Sequence, residues 1–157
     1  MTGPQSPRGK REKGRNAVNA VARYYERQGC VTVRSPFEPG IDLAAISAVQ
    51  GGCAIEVKAV EHLYNLDAKD KRIIWQREQE CRDKSVPYLL VQVLGARFEE
   101  AEWWRVDGLE QSETRKGLSL KVFSLGRQRL DGANTPREGE VLGAPPLAAT
   151  NADGEAR

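Results

Sequence analysis

The sequence GIDLAAISAVQGGCAIEVK, from Gly40 to Lys58, carries the clearest structural pattern in the chain. Two apolar runs flank the Gly51-Gly52 pair, and paired glycines of this kind are typical of the turn of a β-hairpin. The sequence therefore predicts two antiparallel strands, at about 41–49 and 53–60, with the turn at the two glycines.

Three charged residues lie at the open end of this predicted hairpin. Asp42 begins the first strand, and Glu56 and Lys58 end the second. Because side chains alternate across a strand, Glu56 and Lys58 share one face, and pairing around the turn brings Asp42 close to them. Two carboxylates and an ammonium group at one edge of a sheet suit a hard divalent cation and a phosphoryl group.

A structural explanation competes with this functional one, because Glu-x-Lys triplets arise often by chance and three such charges can form a cross-strand ion-pair network. Three observations favour a functional site. Charged side chains are costly in an otherwise apolar strand. Asp42 precedes Glu56 by the length of a hairpin, and the loop at 35–40, which contains two prolines and a glycine, leaves room for a substrate before Asp42.

Length and composition fit a single domain with a substantial core. The chain has 157 residues, of which 39% are hydrophobic and 29% charged, as in globular proteins with polar ends. We expect no membrane association, because no apolar run approaches the roughly 20 residues that span a bilayer. The three cysteines are far apart and there is one histidine. The expected location is therefore a reducing cytoplasm, that of the host if the source is a virus.

Charge is distributed unevenly along the chain, whose net charge is +2. The first fifteen residues hold five Lys or Arg and one Glu, whereas residues 131–157 hold two basic and five acidic residues. Because both ends lack apolar periodicity, we predict a disordered basic arm at 1–13, a folded domain at 14–130 and a disordered tail at 131–157. A basic arm suits a polyanionic partner, and a solvated tail that aids solubility is the alternative.

Helical and strand patterns alternate through the predicted domain. The predicted segments outside the hairpin are a helix from about Asn16 to Gly29, a strand at Cys30–Arg34, a helix at about 68–84 capped by Asp67, and strands at Tyr88–Leu94, Trp103–Val106 and Leu118–Leu125. The run Tyr88–Leu94 is almost entirely apolar, which is typical of a strand buried on both faces. The order α-β-β-β-α-β-β-β predicts an α/β fold with a mixed sheet flanked by helices.

Short motifs over residues 13–107 match a known pattern. They are Lys13-Gly14, Val33-Arg34-Ser35, Ile41-Asp42-Leu43, Ile55-Glu56-Val57-Lys58, His62-Leu63-Tyr64, Val86-Pro87-Tyr88-Leu89-Leu90 and Trp104-Arg105-Val106. With them the chain resembles the PD-(D/E)xK nucleases, the restriction-endonuclease-like superfamily, and within it the archaeal and phage Holliday junction resolvases. The triplet ending at Lys58 is specific to the superfamily in this strand context. The choice of junctions as substrate is less specific, because related phage and repair nucleases share the motifs.

The resemblance implies a Mg²⁺-dependent DNA endonuclease, with Mn²⁺ as a substitute, that nicks four-way junctions symmetrically as a homodimer. The implied metal ligands are Asp42, Glu56 and the Val57 carbonyl, and the implied catalytic residues are Asp42, Glu56, Lys58 and Ser35. The candidate DNA contacts are Lys13, Arg15, Arg34 and Gln76. For Ser35 a loop-capping role is an equal alternative, and Gln76 also fits an exposed helix surface.

One position departs from the family pattern. The first-helix glutamate that completes the metal site in the family falls at Val18, and no acidic residue lies between Glu12 and Glu26. Asn16 or Asn19 is a candidate to hold a metal-bound water instead, although either also fits a helix cap. Two alternatives therefore accompany the resolvase interpretation: another structure-specific, repair or restriction-type endonuclease, and a catalytically impaired DNA-binding protein of the same fold.

Overall fold

The computed structural model describes residues 7–35, 41–111 and 117–131, which form an α/β fold. A six-stranded mixed sheet, in the order β1-β2-β3-β4-β5-β6, is flanked by two helices. The elements are α1 (Pro7–Arg27), β1 (Val31–Arg34), β2 (Leu43–Ser47), β3 (Gly51–Lys58), a short 3₁₀ turn (Leu63–Asn65), α2 (Ala68–Asp83), β4 (Tyr88–Leu94), β5 (Glu100–Gln111) and β6 (Leu118–Arg129). The predicted order of elements is confirmed, and the architecture is compatible with a restriction-endonuclease-like fold.

The sheet is mixed because one helix crosses between two of its strands. β3 and β4 are parallel, and α2 supplies the long connection that parallel neighbours need. The remaining neighbours pair antiparallel. The Asp67 side chain accepts a hydrogen bond from the Asp70 backbone N–H at 2.7 Å, so the predicted N-cap of α2 is confirmed.

The hairpin of β2 and β3 is present, but its turn is not at the glycine pair. Ser47 pairs with Gly51, so the loop is residues 48–50 and both glycines belong to β3. Gly51 has φ +77°, the left-handed conformation that closes a three-residue hairpin loop. The Ser47 hydroxyl accepts hydrogen bonds from the backbone N–H groups of Val49 and Gln50, which stabilises this longer turn.

The first helix is longer than predicted, which corrects two interpretations. It begins at Pro7, so residues 7–13 are helical rather than part of a disordered arm. Proline suits a first helical position, and the charged residues after it are good helix formers although they have no core to face. Asn16 and Asn19 lie inside the helix and therefore do not cap its start. Residues 1–6 lie outside the described part of the chain.

Each face of the sheet has its own apolar core. Side chains of α1 pack with Leu43, Ile55 and Val57 on one face, hereafter the α1 face. Side chains of α2 pack with Ala54, Tyr88 and Leu90 on the other, the α2 face. The adjacent Trp103 and Trp104 point to opposite faces, as alternation requires. Trp103 packs in the core of the α1 face and Trp104 against the core of the α2 face, because helices cover both faces of the sheet.

The last two strands are longer than their apolar patterns predicted. β5 and β6 each span twelve residues and pair from Glu100–Arg129 to Gln111–Leu118. Backbone pairing continues through polar, exposed positions that carry no apolar signal. Leu130 is buried and ends the described fold, and of the predicted tail only Asp131 is described. Among the described residues, no helix is long and apolar enough to cross a membrane.

Candidate active site

The predicted charged group lies at the open end of the β2–β3 hairpin, on the α2 face. Leu43 pairs with Ile55, and this register places Asp42 opposite Glu56. Ile55 packs on the α1 face, so the alternation of side chains puts Glu56 and Lys58 on the α2 face. The sequence therefore predicted the grouping of the three charges correctly.

Asp42 is fixed by the backbone of the neighbouring strand. Its Oδ2 accepts a hydrogen bond from the Val57 N–H at 2.9 Å. The last backbone pair of the hairpin is Leu43–Ile55. The bond from Val57 extends the hairpin beyond this pair, and the Asp42 carboxylate accepts it where a backbone carbonyl of β2 would otherwise do so. Because the N–H and C=O of one strand residue point to the same neighbour, the Val57 carbonyl is directed to the edge where Asp42 lies.

Glu56 is a buried carboxylate with one oxygen satisfied and one not. It is 5% exposed, and its Oε1 lies 3.2 Å from the Lys58 ammonium. Its Oε2 is buried and has no hydrogen-bond partner. Burial, followed by the nearby Asp42 carboxylate, raises the pKa of Glu56 to about 7, although Lys58 opposes the shift. This carboxyl group therefore takes up or releases its proton near neutral pH.

Lys58 is held between two acidic residues. Its Nζ lies 3.2 Å from Glu56 Oε1 and 3.8 Å from Asp70 Oδ1. Burial acts to lower the pKa of Lys58, but the charges of Glu56 and Asp70 outweigh it and the pKa is raised. The ammonium therefore stays charged and oriented. Sequence reasoning did not identify Asp70, although its place three residues after the helix cap Asp67 puts it in the first turn of α2.

A tyrosine on the next strand also belongs to this environment. Tyr88 begins β4 opposite Ala54, so its ring shares the α2 face with Glu56. Burial, then the charges of Glu56 and Asp42, raises the pKa of Tyr88 well above its usual value. In the sequence, the only indication that Tyr88 belongs to the site is that a residue with a polar hydroxyl begins an otherwise apolar run.

Arg34 is the last residue of β1 and Ser35 follows it, and their side chains lie on opposite faces of the sheet. The Ser35 backbone N–H donates to the Asp42 carbonyl at 3.3 Å, so Ser35 lies directly opposite Asp42 and shares its face. Arg34 is on the α1 face, 3.4 Å from Glu26 of α1. The structure thus brings Ser35 to the site but not the Arg34 guanidinium. The Pro/Gly loop after Ser35, residues 36–40, lies outside the described residues.

The other predicted DNA contacts are exposed on the two helices. Lys13 and Arg15 lie in the solvent-exposed first half of α1. Gln76 is exposed on α2, where its side-chain amide donates to Glu80 Oε1 at 3.2 Å. None of these three contacts the Asp42–Glu56–Lys58 group through an interaction that the described structure resolves.

Val18, the position at which the resemblance leads one to expect a glutamate, is part of the apolar packing. It lies against the core of the α1 face, whereas Glu56 and Lys58 point to the α2 face. The nearest acidic residue toward the C-terminal end of α1, Glu26, pairs with Arg34 and accepts a hydrogen bond from Thr32. The first helix therefore brings no carboxylate to the site from its packed segment.

The side chains present fit a magnesium ion in one specific way. Within 7–35, 41–111 and 117–131, no group of three or more His, Cys, Asp or Glu side chains is arranged to hold a metal. Mg²⁺, however, usually binds through one or two carboxylates together with waters and substrate phosphates. The unsatisfied buried Oε2 of Glu56, beside the Asp42 carboxylate, is a donor set of this kind.

Two aromatic rings stand out beyond β3. His62 and Tyr64 stack with their ring centroids 5.0 Å apart and their planes 8° from parallel, and Tyr64 is 74% exposed. The segment that leads to them is tied down by Gln92, the register partner of Lys58. The Gln92 amide donates to the carbonyls of Val60 and Glu61 at 2.9 and 3.1 Å. An ordered aromatic surface thus follows Lys58 directly.

The raised pKa of Glu56 predicts a pH dependence of stability. The folded protein keeps this proton up to about pH 7, whereas the unfolded chain loses it near its ordinary pKa of 4.5. The contribution of Glu56 is therefore fully present below pH 4.5 and is lost as pH rises to 7, by about 3 kcal/mol at most. Urea titrations between pH 5 and pH 8 should show that the free energy of unfolding of the wild type decreases relative to that of Glu56→Gln as pH rises. The same pH dependence in both proteins would contradict a raised pKa of Glu56.

No protein-family model matches this chain, and a search of curated proteins finds no significant match.

Proposed function

We propose that this protein is a metal-dependent DNA endonuclease that hydrolyses phosphodiester bonds, and specifically a Holliday junction resolvase. The observation that carries the proposal is the buried Glu56, which has one oxygen on Lys58 and the other without a partner, beside the anchored Asp42. A buried carboxylate left half-satisfied is costly in a structural ion-pair network. Such a carboxylate is suited to a site in which a cation binds the oxygen that has no partner.

Each residue of the group has a role in the proposed reaction. Asp42 and Glu56 supply carboxylate oxygens to Mg²⁺, and the Val57 carbonyl is directed to the same edge. When bound, the cation polarises the scissile phosphate and acidifies a water molecule. Lys58 presents a fixed positive charge that offsets the negative charge developing on the phosphate. The Ser35 hydroxyl, on the same face as Asp42, contacts the phosphate.

The DNA would be held by exposed cations on α1 and by the aromatic surface that follows β3. Lys13 and Arg15 on α1 are exposed cations that suit phosphate contacts, which position DNA without reading its sequence. The stacked rings of His62 and Tyr64 present an aromatic surface that suits unpaired bases. Arg34 contributes to DNA binding only if it leaves Glu26, since the two are 3.4 Å apart.

Junction cleavage also requires a second copy of the chain in this proposal. A four-way junction is two-fold symmetric, and a symmetric dimer places two sites on equivalent strands. Within the described residues, β1 pairs only with β2, and its Val31 and Val33 are 65% and 56% exposed. This apolar edge supports a self-association surface near Ser35. A strictly monomeric mass in solution at micromolar concentration would count against dimerisation.

Cleavage of a labelled four-way junction tests the proposal. We expect paired symmetric nicks in the junction but not in a matched duplex, with Mg²⁺ or Mn²⁺ and not with EDTA. Asp42→Asn should cut at least about 100-fold more slowly. Asp107→Asn is the matched control, because that carboxylate is on β5 and pairs with Arg105 at 2.8 Å; it should cut at the wild-type rate.

Other results of the same assay separate the alternatives. Preferred cleavage of flaps, single strands or linear duplex would assign another structure-specific, repair or restriction-type endonuclease. Tight junction binding without cleavage in either metal would favour a catalytically impaired DNA-binding protein. The packing of the partly buried Val18 against the α1-face core is the observation that favours this second candidate, and Val18→Glu would then be the next variant to assay. Absence of any DNA binding would refute the proposal.

A further inference from the structure

Tyr88 has a buried hydroxyl that the fold leaves without a partner. The residue is 2% exposed, and its phenolic oxygen has no hydrogen bond to any described group. A buried hydroxyl without a partner costs free energy, and Phe would fill the same space without that cost. The presence of tyrosine at this position therefore calls for a function of the hydroxyl that the protein alone does not reveal.

The unsatisfied hydroxyl and the unsatisfied carboxylate oxygen belong to neighbouring positions of one face. Tyr88 pairs with Ala54 across the parallel strands, and Glu56 is two residues further along β3 on the same side. Such diagonal neighbours are within reach of a long aromatic side chain. Tyr88 can donate one hydrogen bond, and Glu56 Oε2 can accept one. A hydrogen bond from the Tyr88 hydroxyl to Glu56 Oε2 would therefore satisfy both groups.

A second buried tyrosine shows what a satisfied hydroxyl looks like in this protein. Tyr25 is 1% exposed on the α1 face, and its hydroxyl accepts a hydrogen bond from Trp103 Nε1 at 2.8 Å. Tyr25 thus holds α1 against the sheet. Tyr88 makes no comparable bond on the α2 face, so the two buried tyrosines differ in whether the hydroxyl is paired.

We propose that Tyr88 is a positioning residue: when a divalent cation is bound, its hydroxyl, unpaired in this structure, donates a hydrogen bond to Glu56 Oε2 through one water or after a small side-chain shift, and so orients this carboxylate for the cation. The inference rests on the proposed function, because it concerns the same site. Groups that hydrogen-bond to metal-ligating carboxylates fix the carboxylate geometry, and their loss weakens metal binding. In the absence of a cation the unpaired hydroxyl does not stabilise the fold.

Metal titration of two isosteric variants tests this role. We expect Tyr88→Phe to weaken Mn²⁺ binding, measured by isothermal titration calorimetry on the full chain, by about 10- to 100-fold. Its metal-free urea midpoint should be equal to that of the wild type or higher. The matched control, Tyr25→Phe, should show the opposite pattern: a lower midpoint in urea with unchanged Mn²⁺ affinity. If Tyr88 had a purely structural role, Tyr88→Phe would not weaken Mn²⁺ binding while leaving the metal-free urea midpoint unchanged or higher.

The outcomes distinguish this inference from the proposed function. If the wild type binds Mn²⁺ and Tyr88→Phe binds it equally well, the hydroxyl does not position Glu56, and the proposed nuclease function stands. If the wild type binds no Mn²⁺ at millimolar concentration, the proposed function and the inference both fail. A loss of Mn²⁺ affinity with a loss of metal-free stability in Tyr88→Phe would also overturn the inference, because the hydroxyl would then have a structural partner.

Discussion

Replacement of Glu56 with glutamine is expected to abolish metal-dependent strand cleavage, with a decrease of about 10³-fold or more, equivalent to about 4 kcal/mol of transition-state stabilisation. Glutamine has nearly the same shape, but it carries no charge for a divalent cation. It also lacks the second anionic oxygen, which in the structure is buried and without a partner. Single-turnover cleavage of a labelled junction, with circular dichroism to verify folding, measures the effect.

Glu78 provides the control for this substitution. It is also buried, 3% exposed, and its Oε1 accepts a charge-assisted bond from Arg82 at 2.6 Å on α2. Glu78→Gln therefore removes a buried, ion-paired carboxylate from the same protein without altering the Asp42–Glu56–Lys58 group, and cleavage should be unchanged. Wild-type cleavage by Glu56→Gln would show that the three charges form only an ion-pair network.

Truncation of Trp103 to alanine is expected to cause the largest loss of stability of any single core substitution, about 3–5 kcal/mol. Trp103 is fully buried, and its ring centroid lies 5.1 Å from that of Tyr24. Its Nε1 donates to the Tyr25 hydroxyl at 2.8 Å, so the substitution leaves both a cavity and an unpaired buried hydroxyl. The free energy of unfolding from urea titration measures the loss.

The neighbouring Trp104 is the control for this prediction. It is half-buried on the α2 face, where its Nε1 has no hydrogen-bond partner. Trp104→Ala should therefore cost less than Trp103→Ala, because fewer contacts and no hydrogen bond are lost. If Trp103→Ala and Trp104→Ala lost the same free energy of unfolding, the Trp103–Tyr25 hydrogen bond would not be needed to hold α1 against the sheet.

The hairpin shows how far local pattern reasoning extends. Its two apolar runs predicted antiparallel strands and the approach of Asp42 to Glu56, and the Leu43–Ile55 pairing confirms both. The turn was placed at Gly51-Gly52, but the loop is residues 48–50. Glycine serves equally well within a turn and directly after one, so the glycine pair alone did not fix the register. The Ser47 hydroxyl, which binds two loop N–H groups, carried the missing information.

The first helix illustrates the opposite limit. Residues 7–13 have no apolar periodicity, and this pattern predicted disorder, yet the helix begins at Pro7. Periodicity reports only which residues pack against a core. A helical segment that extends beyond its packed part is supported by propensity and by continuation of the helical hydrogen bonds, and neither leaves an apolar pattern.

Local sequence patterns were sufficient to predict the order of the helices and strands, the antiparallel pairing of β2 with β3, and the grouping of Asp42, Glu56 and Lys58. These features follow from the periods of apolar residues and from turn chemistry, which act over short distances along the chain. Long-range packing places the group toward α2, brings Asp70 and Tyr88 to it, and packs Val18 against the core of the other face. It also decided the pKa of Glu56, because burial and a neighbouring charge depend on segments far apart in sequence.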